Sequence, residues 1–156
     1  MKLEELGVVR LACGLRAPYL AREAITTWLG RTHTAWEIVM LAASELVTNA
    51  VKYAGAPSVG DGPSAITIKL SQDPLVLRLA VTDPGSNFSA PTRIPLQVPN
   101  LRSEHGRGLA IVETLSRGRW GSYRMPGTGH RHVWCHLDRH LNGAQLEELF
   151  CDPAAS

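Results

Sequence analysis

Two polar residues interrupt the apolar side of a predicted helix. Its apolar stripe is formed by Ile38, Leu41 and Ala42. Glu45 and Asn49 continue that stripe and, being four residues apart, share one face of the helix. A carboxylate directed toward a core is costly unless it is used there, and hard cations such as Mg²⁺ take carboxylate and amide oxygens as ligands. The pair therefore indicates a metal ligand beside a general base, or two groups that face water or bind buried backbone.

A second acid, Asp83, ends a predicted strand on the same face as Leu77, Leu79 and Val81. Because side chains alternate along a strand, Asp83 is predicted to face the core. Gly85 follows two residues later and leaves room for a close backbone approach. Asp-Pro-Gly is an ordinary turn sequence. An inward acid beside an open loop can also accept a hydrogen bond from an amino group, such as that of adenine.

A third candidate site, Gly106-Arg107-Gly108, is predicted to end a long loop and to open a helix. Free backbone N–H groups at a helix N-terminus, unobstructed by Cβ atoms, form an anion site, and Arg107 adds positive charge. Glycine pairs also simply start helices. The order of the three sites along the chain is more specific than any one of them. A metal site, an acid that binds the base and backbone N–H groups that bind phosphates together predict an ATP site. The sequence has no GxxxxGK[ST] motif of a P-loop.

The composition is that of one ordinary globular domain. The chain has 156 residues, 44% hydrophobic and 19% charged, which excludes a disordered chain. It has no apolar run of about 18 residues, the length of a membrane span, and its first ten residues carry charges of both signs, so a cytoplasmic protein is expected. Three cysteines without CxxC spacing argue against a disulfide framework, and a net charge of +2 is too weak to indicate nucleic-acid binding.

Helix and strand patterns fall into separate blocks. A capping box of Thr34 and Glu37 predicts one helix start, and Gly55 follows the expected end of that helix. Residues 84–105 contain four prolines and no period, which is typical of a lid or binding loop. The blocks predict an α+β two-layer sandwich with a mostly antiparallel sheet and helices on one face. The predicted helices span Ala17–Leu29, 34–54, a short segment after Gly108 and 141–150; the predicted strands span 8–12, 66–71, 75–83, 119–124 and 131–137.

Residues 102–140 are rich in basic and imidazole groups. They hold seven arginines, three acids and five of the six histidines. Such a stretch is a solvated basic face or a surface that meets anions. A histidine metal site is not favoured, because His132 and His136 would lie about 13 Å apart along a strand. Cys135 is expected in the core.

Four stretches of the sequence resemble the GHKL ATPase superfamily and, within it, the bacterial anti-sigma-factor serine kinases. They are SELVTNAVKYAG at 44–55, LAVTDPGS at 79–86, HGRGLAIVETLS at 105–116 and GHRHVWCHL at 129–137. The resemblance covers about residues 16–137. It implies a Bergerat fold of the histidine-kinase type, with one ATP-binding domain over 1–140 and a short helix and tail over 141–156.

The resemblance also implies roles for the candidate residues. Asn49 would bind Mg²⁺, Glu45 would be the general base, and Asp83, with Gly85 beside it, would accept from the adenine amino group. The residues implied to contact the rest of the nucleotide are Gly106, Arg107, Gly108 and Leu109.

The implied partners are a sigma factor, an antagonist protein of the STAS class that is phosphorylated on serine, and a second copy in a homodimer; no membrane or nucleic acid is implied. Arg22 resembles a partner-binding arginine of the family.

The sequence departs from the family at Asn87, where a second glycine is usual, and at Tyr53, where histidine is common. Glu104 and His105 stand where sporulation-type kinases have a basic residue, which leaves the γ-phosphate to Arg102 or Arg107. Three functions stay open: a serine kinase, a nucleotide-binding regulator with little turnover, and a relative that binds no nucleotide.

Overall fold

The computed structural model describes residues 2–53, 65–84 and 104–150. Its helices and strands follow one another in the blocks that the sequence predicts. The predicted loop 55–63 and most of the predicted lid, with Gly85 and Arg102, lie outside the described residues. In chain order the elements are β1 (Glu4–Ala12), α1 (Ala17–Leu29), α2 (Trp36–Tyr53), β2 (Ala65–Gln72), β3 (Val76–Asp83), α3 (Glu104–Ser116), β4 (Trp120–Arg124), β5 (Arg131–Asp138) and α4 (Gly143–Phe150).

The five described strands form one antiparallel sheet in the order β1-β2-β3-β5-β4. Its inner face is apolar, as Ile66, Ile68 and Leu70 on β2 show, and it packs with the buried residues of the helices in one core. The opposite face carries partly exposed groups such as Arg78 and Trp134, whose guanidinium and ring lie 4.9 Å apart. The predicted α+β fold with helices on one face is confirmed.

Helix α1 has the predicted bounds, and the start of α2 differs from the prediction. Gly30 ends α1 with a positive φ of 83°, and its N–H donates to the carbonyl of Thr26. Helix α2 begins at Trp36, so the predicted capping box at Thr34 is wrong. The His33 imidazole accepts the Ala35 N–H at 3.0 Å instead, and the Ala35 carbonyl accepts the first helical N–H.

The strand β3 begins one residue later than predicted. Asp73 Oδ1 accepts the N–H groups of Leu75 and Val76 at 2.7 and 2.8 Å, which folds Leu75 into a turn and leaves that side chain 69% exposed. Beyond the turn, Leu77, Leu79 and Val81 face the core as predicted. Asp83 shares their face and is only 1% exposed, which confirms its predicted orientation.

Helix α3 begins at Glu104, two residues before Gly106. The prediction that Gly106 and Gly108 precede the helix is therefore wrong. Gly106 is the third helical residue and Gly108 the fifth, so the Gly106 N–H falls among the N–H groups without an intrahelical acceptor and that of Gly108 does not. An acidic residue at the first helical position favours this start, because it complements the positive end of the helix dipole.

Strand β5 alternates between the two faces of the sheet. Val133, Cys135 and Leu137 are buried, and the fully buried Cys135 thiol has its pKa raised to about 12 by desolvation. His132 and His136 lie on the opposite face, where burial and the Arg78 charge lower the pKa of both imidazoles. Within the described ranges, no group of three or more histidine, cysteine, aspartate or glutamate side chains is arranged to hold a metal ion, and no helix is long and apolar enough to cross a membrane.

Candidate functional site

Asn49 lies on the core side of α2, next to Leu46 and Ala50. Its exposed fraction is 6%, and its Nδ2 has no hydrogen-bond partner among the described residues. A buried donor without a partner costs about 1–3 kcal/mol. The Nδ2 group is therefore not explained by the stability of the fold, and it is a donor that a ligand could use.

Asn49 and Asp83 converge on one small cavity between α2, β3, α3 and β5. This convergence joins residues that are 34 positions apart and lie on different elements. Leu109, from the second turn of α3, closes another side of the cavity. Its volume is about 10 Å³, which is room for one water molecule. The lining residues are Leu46, Asn49, Ala50, Val81, Asp83, Leu109, Arg131 and Val133.

A buried ion pair forms one wall of this cavity. Asp83 and Arg131 face each other across the β3–β5 ladder, and Arg131 Nη2 and Nε both donate to Asp83 Oδ2, at 2.8 and 3.1 Å. Their side chains are 1% and 5% exposed. Arg131 was not among the predicted site residues, because in the sequence it belongs to a basic stretch. The alternation that turns Asp83 inward also places Arg131 on the face of Val133 and Cys135, so that signal was present.

Glu45 lies one helical turn before Asn49 and does not line the cavity. Partial burial raises the pKa of its carboxyl above the ordinary value of 4.5, and the nearby Lys52 charge opposes part of that rise. A carboxylate with a raised pKa holds a proton more readily, as a general base must. Arg22 of α1 donates to the hydroxyl of Ser44 at 3.3 Å, which places it beside the residue that precedes Glu45.

The structure thus brings together three of the predicted site residues, Asn49, Asp83 and Leu109. Gly85 lies outside the described residues. Gly106, Arg107 and Gly108 belong to the first turns of α3 by their backbone, and their side-chain surroundings are outside the described part of the chain.

The chain matches the family model of the histidine kinase-like ATPase domain over residues 15–133. That range includes every residue that lines the cavity. No curated protein matches the sequence.

Two solved structures resemble the chain in fold. One contains the RsbU and RsbW domains of Rv1364c from Mycobacterium tuberculosis; it is 22% identical over 87% of this chain, with a TM-score of 0.52, and this chain spans 34% of it. The other is the histidine kinase domain of the blue-light activated histidine kinase EL346 from Erythrobacter litoralis, 19% identical over 86% of this chain and 63% of that one, with a TM-score of 0.47.

Proposed function

This chain belongs to the family of histidine kinase-like ATPase domains, and we propose that it binds ATP at the cavity between α2, β3 and α3. The observation that carries this proposal is the convergence of Asn49, Asp83 and Leu109, from three separate elements, on one cavity inside the family match. In the proposed complex the Asp83 carboxylate accepts a hydrogen bond from the adenine amino group. Gly85 lies beside the base, and Gly106, Arg107 and Gly108 approach the phosphates.

The chemistry of the residues fits Mg-ATP, although the volume of the cavity in this conformation does not. An amide oxygen is a suitable ligand for Mg²⁺, and Asn49 lines the cavity with its side chain, whose Nδ2 is an unpartnered donor among the described residues. Asn49 would hold the ion, which supplies positive charge to the phosphates when bound. Binding of a purine requires the lining residues, which include Arg131, to move apart.

We propose that the chemical activity is protein serine/threonine phosphorylation, with Glu45 as the general base. Its raised pKa suits a carboxylate that takes the proton of an attacking hydroxyl group. The resemblance to anti-sigma-factor serine kinases supports a STAS-class antagonist as substrate and a sigma factor as binding partner, in the cytoplasm and with the protein as a homodimer. Arg22 would contribute to the partner surface from α1.

A second candidate function is a nucleotide-binding regulator with little turnover. It is favoured by one observation: the acid that would recognise adenine is already paired with Arg131. A pocket that opens rarely would bind nucleotide and transfer phosphate slowly. The two candidates share the same site and differ in whether phosphate reaches a protein.

Two measurements test these proposals. Mg-ATP is expected to raise the melting temperature of the wild type, because a ligand that binds the native state stabilises it. Asn49→Ala should abolish the Mg²⁺-dependent part of that rise, whereas Asn142→Ala, the same truncation at an exposed site outside the cavity, should keep it. An unchanged rise in Asn49→Ala would refute the metal assignment.

Transfer of radiolabelled phosphate from ATP to a STAS-class protein tests the kinase activity. The wild type should transfer radiolabelled phosphate to a serine of that protein. Glu45→Gln should still bind ATP but should not transfer the phosphate. Binding without labelling in the wild type would leave the regulator as the function. No thermal response to any adenine nucleotide would contradict both candidates.

A further inference from the structure

We infer that Arg131 is a lock on the base-recognition acid: nucleotide enters only when the Arg131–Asp83 ion pair opens, so Arg131 sets the affinity of the pocket for ATP. This inference rests on the proposed nucleotide site.

The geometry of the pair is that of a fixed contact built into the sheet. Asp83 and Arg131 are direct partners in the β3–β5 register, so the backbone ladder holds their Cα atoms together. Two guanidinium nitrogens donate to the same carboxylate oxygen, Oδ2, at 2.8 and 3.1 Å. Charge-assisted hydrogen bonds of this kind are about twice as strong as neutral ones.

The lock also takes up space. Sites for small molecules have volumes of about 300–1,000 Å³. The cavity beside Asn49 and Asp83 measures about 10 Å³, and the side chain of Arg131 is 95% buried against it, given its 5% exposed fraction. A purine that reaches Asp83 through this cavity therefore has to displace part of the cavity wall, of which the buried Arg131 side chain is one member.

The chemistry of the incoming group makes the competition unequal. The amino group of adenine is a neutral donor, and it would compete for the Asp83 carboxylate with a charged guanidinium that donates twice to Oδ2. The exchange also leaves the guanidinium to find new partners or water. The apparent dissociation constant is thus the intrinsic one divided by the fraction of molecules whose pair is open.

The test is a calorimetric titration of Mg-ATP into the wild type and into Arg131→Thr. Threonine is short and suits a strand, and its hydroxyl can still donate to Asp83. The dissociation constant should fall by at least about tenfold, as expected for a closed state that dominates the equilibrium. Arg124→Thr is the matched control, because Arg124 is the register partner of Arg131 on β4 and does not line the cavity. It should bind as the wild type does.

Base selectivity sharpens this test. Inosine triphosphate carries an oxygen where ATP carries the amino group. With Asp83 released, the preference for ATP over inosine triphosphate should be larger in Arg131→Thr than in the wild type. Equal or weaker ATP binding by Arg131→Thr would overturn the lock, and would instead make Arg131 a residue that positions Asp83 for the base.

A measurement on the wild type covers the case in which Arg131→Thr does not fold. The Nε–H of Arg131, identified by the signal that disappears in Arg131→Lys, should be protected from hydrogen exchange and should lose that protection at saturating Mg-ATP. Protection that persists at saturation would overturn the lock while the proposed function stands. If the folded wild type and Arg131→Thr both bind no nucleotide, the proposed function fails and the lock with it.

Discussion

Two Asp–Arg ion pairs lie toward opposite ends of strand β5. Asp83–Arg131 and Asp138–Arg119 have the same shortest nitrogen–oxygen distance, 2.8 Å. The side chains of the first pair are 1% and 5% exposed, and those of the second are 31% and 39% exposed. The shortest distances are equal and the surroundings are not, so we expect burial to decide what each pair does for the molecule.

The exposed pair is a minor contributor to the free energy of folding, because water screens both charges and the side chains lose freedom; such pairs contribute about 0–1 kcal/mol. A buried pair gains more from mutual attraction but loses more hydration, so apolar residues in its place are often as stable. The sheet thus gains little from keeping Asp83 and Arg131 inside. Their position at the candidate nucleotide site gives a functional reason for the pair.

The largest expected effect comes from breaking one pair at a time with the same substitution. Arg131→Met should lower the free energy of unfolding by about 3–5 kcal/mol, because it leaves the Asp83 carboxylate buried without its partner. Arg119→Met should cost only about 1 kcal/mol, since Asp138 stays hydrated and keeps Arg117 at 3.6 Å. Urea denaturation measures both. Similar losses in the two variants would show that burial does not distinguish the pairs.

Replacing both members of the buried pair should recover most of that loss. In Asp83→Leu combined with Arg131→Met no charge is left among the described residues that line the cavity, and the free energy of unfolding should return to within about 1–2 kcal/mol of the wild type. The double variant should bind no ATP, because Asp83 is gone. A double variant as unstable as Arg131→Met would mean that the pair contributes specific structure to the sheet.

A smaller change in the free energy of unfolding, of opposite sign, is expected from replacing Asn49. Asn49→Leu removes an amide whose Nδ2 is unpartnered among the described residues, and it should raise the free energy of unfolding by about 1 kcal/mol. The control Asn142→Leu should lower it by about 1 kcal/mol, because Asn142 Oδ1 accepts the Gln145 N–H at the start of α4. Thermal and urea unfolding compare them. Destabilisation by Asn49→Leu would indicate that the amide supports the fold.

The smallest effect is a pH dependence at Glu45. Because its pKa is raised in the folded protein, the unfolded chain loses this proton first, and stability falls as the pH rises from about 4.5, the ordinary value, through the folded-state pKa. Glu45→Gln should therefore be more stable than the wild type near neutral pH and equal to it below that window. Melting temperatures of both proteins across pH 3–8 measure the difference; a constant difference would contradict the assignment.

The local part of the site was predictable and the long-range part was not. The helical period placed Glu45 and Asn49 on one face, and the strand period turned Asp83 inward, since both depend on neighbours within one element. The pairing of Asp83 with Arg131 joins positions 48 apart, and it depends on a strand register that no local pattern fixes.

Two of the mispredicted element boundaries, the starts of β3 and α3, lie within short stretches of sequence. Leu75 fits the alternation of β3, but the Asp73 side chain takes its N–H and holds it in a turn. Gly106 and Gly108 were expected before α3, yet the helix starts at Glu104 and includes them. The domain boundary at residue 140 and the roles of Gly85 and Arg107 stay predictions.

The most direct test of the nucleotide site is a titration of the wild type with Mg-ATP, followed through the methyl signals of leucine and valine by NMR. The methyl groups that line the cavity, on Leu46, Val81, Leu109 and Val133, should shift together and saturate at one dissociation constant. The exposed Val8 and Leu75, which do not line the cavity, should keep their positions. Shifts confined to exposed methyl groups, or none at millimolar ATP, would contradict a nucleotide site at Asn49 and Asp83.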